Sequence, residues 1–260
     1  MEIDATVFPM SGLCAYHPFP VPSRAQEITL SPSESAHLAR SLRAQAGESV
    51  RAFDGNGRSW FGSVARADAG ALVMRVESAR QVEPPRPVLA LAQVLPKGGL
   101  MDDIVRAAVE IGAGEIHPLF SGRCEVKLDA ARAEARVGRW QGIAIEACKQ
   151  SGNAFLPSIA TPVALKTFLG ALPPAAFLFA GSLEADAVEL ARLPAGEVAS
   201  GNPGRLVLFI GPEGDFSPEE YSLLRRHGVR GVRLGNHVLR VPTAALYGLA
   251  ALDQLRQRMG

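Results

Sequence analysis

Leu206-Val207-Leu208-Phe209-Ile210, then Gly211-Pro212-Glu213-Gly214, then Asp215-Phe216-Ser217-Pro218-Glu219-Glu220: the reading of this stretch decides the fold. Five apolar residues in a row form a buried strand. Ser217 suits a helix N-cap, Pro218 suits the first helical position, and Glu220 stands at N3 to complete a capping box. The Gly-Pro-Glu-Gly segment is therefore a loop between a strand and a helix. Two glycines let its backbone approach a ligand closely. The spacing is neither GxGxxG nor the GxxxxGK[ST] phosphate loop, so alone it is a weak signal that reads more readily as a plain strand–turn–helix connection.

A second loop of this kind follows the next strand, residues 229–234. It reads Gly235-Asn236-His237-Val238-Leu239-Arg240-Val241-Pro242-Thr243, with Thr243 as the cap of a helix over 244–258. Two such loops from successive strands can form one cleft. Between 225 and 240 there are five Arg, two His and no acid, a block that marks either a polyanion-binding face or a solvated surface.

Working outward, strands over 88–95, 116–120 and 175–180 alternate with helices over 100–111 and 130–150. This rhythm predicts an α/β domain with a mainly parallel sheet, where ligands bind at the carboxyl ends of strands. Residues 196–204 read as a mobile loop. Trp140, on the long helix, reads as core more readily than as a base-stacking platform.

The segment Val82-Glu83-Pro84-Pro85-Arg86-Pro87 continues neither strand nor helix and marks a linker. Before it, Asp54-Gly55-Asn56-Gly57 signals a hairpin between short β-like runs, and one helix over about 33–44 interrupts them. The division is thus a small β-barrel over 1–83 and an α/β domain over 84–260. Residues 1–10 form a ragged extension.

The chain has 260 residues, 47% hydrophobic and 20% charged, with 27 basic and 26 acidic side chains and a net charge of +1. That balance excludes a histone-like or polybasic binder, though not a local basic face. Only Lys97, Lys127, Lys149 and Lys166 are lysines, so Arg carries the positive charge, which suits forked contacts to phosphate or bases. Cys14, Cys124 and Cys148 are widely spaced without CxxC, which predicts free thiols in a reducing cytoplasm and no metal site. Neither a secretory signal nor a membrane-spanning run is visible.

Taken together these segments resemble the RsmE family, the 16S ribosomal RNA uridine-N3 methyltransferases of the SPOUT, or α/β-knot, superfamily. In the barrel the resemblance rests on His37-Leu38-Ala39-Arg40-Ser41-Leu42-Arg43, Gly47-Glu48-Ser49-Val50 and Phe53-Asp54-Gly55. In the α/β part it rests on Lys97-Gly98 with Met101-Asp102, Glu110-Ile111-Gly112, Ser121-Gly122-Arg123-Cys124 and Arg139-Trp140-Gln141 through Gln150-Ser151-Gly152. Its most specific parts are Ile210 to Gly214 and Leu234-Gly235 through Arg240 to Thr243-Ala244.

The resemblance implies a PUA-like barrel, a SPOUT domain with a C-terminal trefoil knot, a homodimer, and S-adenosylmethionine as cofactor. The implied partner is 16S ribosomal RNA or the small ribosomal subunit. By match of position the cofactor is cradled by Ile210, Gly211, Pro212, Glu213, Gly214, Leu234, Gly235, Val238, Leu239 and Thr243, with Phe179 and Ala180 as a third wall. Arg43, Arg123, Lys127 and Arg139 fall to RNA. Arg240 is the catalytic candidate, a fixed cation for the charge that spreads over the uracil oxygens; a phosphate contact or a helix-capping role is its alternative. No general base is identified, although His237 is chemically suited.

The chain departs from the family pattern at several places. His237 stands where a second Arg is usual, Pro242 where Glu is usual, and Asp215 where a second Gly is usual. Leu100, Ala107 and the Asn153-Ala154-Phe155-Leu156-Pro157 segment lack the usual basic residues, and an Arg usual near the start of the barrel is replaced around Leu13. The losses fall on groups expected to touch RNA or order the active site. A paralogue that binds RNA or cofactor without catalysis is therefore the alternative reading.

Overall fold

A computed structural model describes residues 12–173, 176–201 and 203–259 of the chain. The extension over 1–10 lies outside them. Contacts divide the chain into two compact units: Met1–Pro84 with Ile145–Leu156, and Pro85–Ala144 with Pro157–Gly260.

Among the described residues the first unit holds a five-stranded sheet. Its strands are β1 (Leu13–Tyr16), β2 (Glu27–Thr29), β3 (Ser49–Phe53), β4 (Arg58–Arg66) and β5 (Val73–Gln81), in the order β1-β3-β4-β5-β2. β1 and β3 are parallel and the other neighbours antiparallel. The sheet curls into a half-barrel around buried Leu38, Ala52, Trp60, Leu72 and Met74. The hairpin forms as its sequence dictates: the Asp54 carboxylate accepts from the N–H groups of Asn56 (2.7 Å) and Arg58 (3.0 Å). The curl depends on Gly62, at a register shift in β4, where a Cβ would stand 1.9 Å from the Arg75 carbonyl oxygen.

The helix expected over 33–44 is shorter. Helix α1 (Pro32–Ala36) starts at the Ser31 cap, widens into a π-helical turn at His37–Ser41, and the chain turns away at Arg43, whose φ is +55°. Leu38 is its one large buried side chain, so packing does not hold a longer helix there.

Among the described residues the second unit is built on an eight-stranded sheet whose paired strands are all parallel. In chain order it runs β6 (Val88–Val94), α2 (Leu100–Ile111), β7 (Glu115–Phe120), α3 (Ala130–Ser151), β8 (Ser158–Ile159), β9 (Val163–Ala164) and α4 (Leu165–Gly170). Then come β10 (Ala176–Gly181), β11 (Val188–Glu189), α5 (Ala195–Ser200), β12 (Arg205–Ile210), α6 (Pro218–Arg226), β13 (Arg230–Arg233) and α7 (Val241–Gln257). The strand order is β11-β13-β10-β12-β6-β7-β8, with β9 also on β7.

The apolar stretch that decided the reading, β12, lies between β10 and β6 and is buried from Leu206 to Ile210. Phe209 and Val207 face a cluster with Phe216, Tyr221, Leu224 and Leu169. Helices α2 and α7 pack on each other, and α7 packs on β6 and β12. At that crossing Gly248 leaves room for Leu208, whose Cδ2 would lie 2.6 Å from a Cβ.

Residues 196–204, expected as a loop, include most of α5, because Val198 is buried and anchors a turn of helix. Helix α7 begins at Val241 after an Arg240 N-cap, so Thr243 lies inside the helix rather than capping it. Pro242 falls in the first turn, where its missing N–H would have had no helical acceptor.

The first unit also contains Ile145–Leu156, which the sequence reading gave to the α/β domain. Arg51 of β3 explains this. Its guanidinium donates to the carbonyls of Gly152 (2.9 Å) and Cys148 (3.3 Å), satisfying acceptors that the end of α3 leaves open, and to the Cys14 sulfur (3.2 Å). Lys149, 9% exposed, is paired with Glu34 of α1 at 2.7 Å and with Glu146 at 2.8 Å, which anchors the end of α3 within this unit.

Candidate active site

Three loops at the carboxyl ends of β10, β12 and β13 surround a cavity of about 580 Å³ in the second unit, within the roughly 300–1,000 Å³ typical of ligand pockets. Gly181, Ser182 and Leu183 contribute from β10, Ile210 to Glu213 and Asp215 from β12, and Arg233 to Gly235 with His237 to Ala244 from β13; Leu100 closes one side. The strand order places β10 between β12 and β13, so the three ends converge.

The β12 loop is held rigidly. Asp215 has φ +59°, a left-handed backbone that Asp tolerates better than most residues. Its carboxylate accepts from the Phe216 N–H (2.8 Å) and from the Tyr221 hydroxyl (2.9 Å). The side chain thereby stabilises a turn that glycine would adopt freely. Burial first, and then the Asp215 charge, push the Tyr221 phenol well above its ordinary pKa, and Ser182 and Leu183 of the β10 loop lie near enough to the phenol oxygen to oppose that shift. Tyr221 thus fastens the β12 loop and sits beside the β10 loop.

The capping box forms as read, with Glu220 N–H on Ser217 Oγ (3.2 Å) and Ser217 N–H on Glu220 Oε2 (2.9 Å). Its second oxygen, Oε1, accepts from the Gly122 N–H at 2.7 Å. Glu213 accepts from the Lys97 N–H at 3.0 Å, and the Lys97 ammonium pairs with Glu125.

Of the residues predicted for the cofactor, the cavity brings together Ile210, Gly211, Pro212, Glu213, Leu234, Gly235, Val238, Leu239 and Thr243. Gly214 stands just outside, its carbonyl accepting from Arg123 at 2.8 Å. Phe179 and Ala180 are buried in β10, 1% and 2% exposed; the wall on that side is made by the next residues, Gly181 to Leu183. Sequence reasoning stopped one step early there because the strand extends through Gly181. Arg240 and His237 line the cavity and are exposed, so both face whatever enters it.

The four residues predicted for RNA are not gathered at the cavity. Arg43 lies in the first unit, exposed. Arg123 spends its guanidinium on the Gly214 and Phe216 carbonyls. Lys127 and Arg139 line a separate cleft, Arg139 with two donors on Asp102 (2.9 and 2.6 Å). The other oxygen of Asp102 accepts from the Trp140 indole at 3.2 Å, and Trp140, 1% exposed, is core.

Comparison with known proteins bears on this site directly. Residues 83–253 match a family described as an RNA methyltransferase domain, and residues 30–77 match one described as an RNA methyltransferase PUA domain. Ribosomal RNA small subunit methyltransferase E of Synechocystis is 32% identical over 88% of this chain and 73% of its own. The chain belongs to the ribosomal RNA small subunit methyltransferase E family.

The methyltransferase E of Mycobacterium tuberculosis is 31% identical over 92% of this chain and 90% of its own. Among solved structures, methyltransferase E of Neisseria gonorrhoeae, bound to S-adenosylmethionine, matches with a TM-score of 0.83, 28% identity, and coverage of 94% of this chain and 98% of its own. A methyltransferase of Legionella pneumophila, also in complex with S-adenosylmethionine, matches with a TM-score of 0.82, 30% identity, and coverage of 94% and 97%. No helix among the described residues is long and apolar enough to cross a membrane.

Proposed function

We propose that this chain methylates N3 of a uridine in 16S ribosomal RNA, using S-adenosylmethionine and working as a homodimer in the cytoplasm. The observation that carries the reading is the cavity itself: three convergent loops, two of them the glycine loops, in a chain of the methyltransferase E family.

The residues present fit the cofactor. The volume is adequate, the walls mix apolar side chains with loop backbone, and at Gly235 nothing lies within 4 Å of where a Cβ would be, so a ligand can lie against the chain. Gly211, Glu213, Leu234, Gly235 and Leu239 would hold it, and Tyr221 would keep the β12 loop in place. S-adenosylmethionine supplies a methyl group on a sulfonium, a leaving group already activated.

The chain has to align the uracil ring with that methyl group, chiefly a positioning task. It must also favour loss of the N3 proton. Arg240 faces the cavity and offers forked donors to the charge that then spreads over the uracil oxygens. The imidazole of His237 lines the same cavity and is chemically suited to take the proton. Pro242 removes no helical hydrogen bond, so the first turn of α7 can present Arg240 intact.

The homodimer reading is supported by exposed Leu100 and Tyr247 on the packed helices α2 and α7. The knot reading is supported by the path of the chain, which crosses from β12 past β10 to β13 and returns as α7 to pack on β12 and β6.

The test is mass spectrometry of 16S ribosomal RNA nucleosides from a strain lacking its own enzyme, with and without this gene. The proposal expects 3-methyluridine to be restored. Its continued absence, with the protein expressed and folded, would favour the paralogue reading. Calorimetry should detect S-adenosylmethionine binding; no heat at millimolar cofactor refutes the cofactor site.

A further inference from the structure

Beside the loop that leads into α3 lies a second cleft, of about 550 Å³. It is lined by Lys127, Arg132, Arg136 and Arg139 together with Val126 and Leu128, and no carboxylate lines it. Arg132, Arg136 and Arg139 are spaced four and three residues apart on one helix, so they project from one face. Net charge and cofactor chemistry leave this cluster unexplained: the chain is near neutral overall, yet four cations converge here.

Their counter-charges are uneven. Arg139 is held by Asp102, and Arg132 approaches Asp129 at 3.4 Å. Lys127 and Arg136 have no ion-pair partner among the described residues. Like charges gathered without partners repel one another, and a polyanion relieves that repulsion while releasing counterions.

The cleft is also linked to the cavity. The loop carrying Lys127 is pinned at its start, where the Gly122 N–H donates to Glu220 and Arg123 donates to the carbonyls of Gly214 and Phe216 in the β12 loop. A strand gripped at Lys127 is therefore held at a set distance from the cavity. We infer that this cleft binds the phosphate backbone of the substrate RNA, with Lys127, Arg132 and Arg136 as the contacts and Arg139 held back by Asp102. The inference rests on RNA being the substrate, and adds to the positions suggested by resemblance two arginines that no motif singled out.

The test compares the full-length protein with R132E/R136E and R132Q/R136Q, using in vitro transcribed 16S ribosomal RNA in filter binding from 50 to 200 mM salt. Both variants should bind at least tenfold more weakly, and the glutamine pair should lower the slope of log affinity on log salt by about 1.4, from roughly 0.7 per phosphate contact on single strands. S-adenosylmethionine affinity, measured by calorimetry, should not change, which also shows that the variants are folded. R132K/R136K should keep most of the affinity. RNA binding at wild-type strength in both neutral and reversed variants overturns the inference. Failure of the proposed function looks different: no 3-methyluridine from the wild-type protein, whatever the variants do. If the wild type binds no RNA at all, both fall together.

Discussion

Replacing Tyr221 by Phe isolates the bond that fastens one wall of the cavity. The hydroxyl lies 2.9 Å from both oxygens of Asp215, but a single O–H donates to one at a time, so one charge-assisted bond is lost. Such bonds contribute about 1.5–3 kcal/mol. Ser182, 7% exposed, keeps the bond it accepts from the Glu184 N–H. The ring stays, with its edge-on contact to Phe216 at 5.6 Å, so no cavity opens. The expected loss is about 2–3 kcal/mol, or roughly 4–12 °C in Tm for a unit of this size.

Urea and thermal unfolding measure it, and alkaline pH adds a second readout. The folded phenol holds its proton above the ordinary value of 10.0 that the unfolded chain shows. Its contribution is therefore fully present below pH 10 and declines as pH rises further, because only the unfolded state releases the proton. The Phe variant lacks this decline, so the stability gap should narrow above pH 10. A loss below about 0.5 kcal/mol, or a gap that does not change with pH, would refute the idea that Tyr221 fastens the β12 loop.

Arg240→Ala should lower kcat by roughly a hundredfold or more, the typical cost of one fixed donor at a developing oxyanion, with calorimetric cofactor affinity little changed. Gly62→Ala should destabilise the first unit by more than about 3 kcal/mol, because the new Cβ would meet backbone at 1.9 Å; denaturation of the full chain reads it. All three cysteines should resist iodoacetamide at pH 8 in the folded protein and react on unfolding: burial raises the Cys14 and Cys124 thiols and pushes Cys148 up to about 12. Below about pH 4.5 the second unit should lose stability as Glu115 protonates. His117, and then Arg205, hold that carboxyl below its usual value, so its contribution is present above 4.5 and fades on acidification.

What the sequence made legible follows from which interactions are local. β12 and the capping box of α6 are written in adjacent residues, and both form where they were read. The hairpin at Asp54 is local too. The end of β10 was less legible, because whether a strand stops at Ala180 or Gly181 depends on pairing with β13, 51 residues later in the chain by register Gly181↔Val232. The cap of α7 was misassigned to Thr243 since a Pro at the first turn shifts the start backward. The basic cleft was half visible: Lys127 and Arg139 came with the family motifs, but Arg132 and Arg136 join them only once α3 puts them on one face. The role of Asp215 needed its backbone angle.

The discontinuity of the first unit sets an order on synthesis. Arg51 and Glu34 leave the ribosome early, but their partners at Cys148, Lys149 and Gly152 follow only after residues 85–144 of the other unit. Until then Glu34 and Arg51 lack those partners, and β6 lacks β12, which the register sets 117 residues downstream. The nascent chain therefore carries a complete five-stranded sheet without its helical anchor and, at the same time, an unfinished parallel sheet. A ribosome that stalls before β12 is made leaves the β6 edge exposed, the kind of chain that chaperones capture.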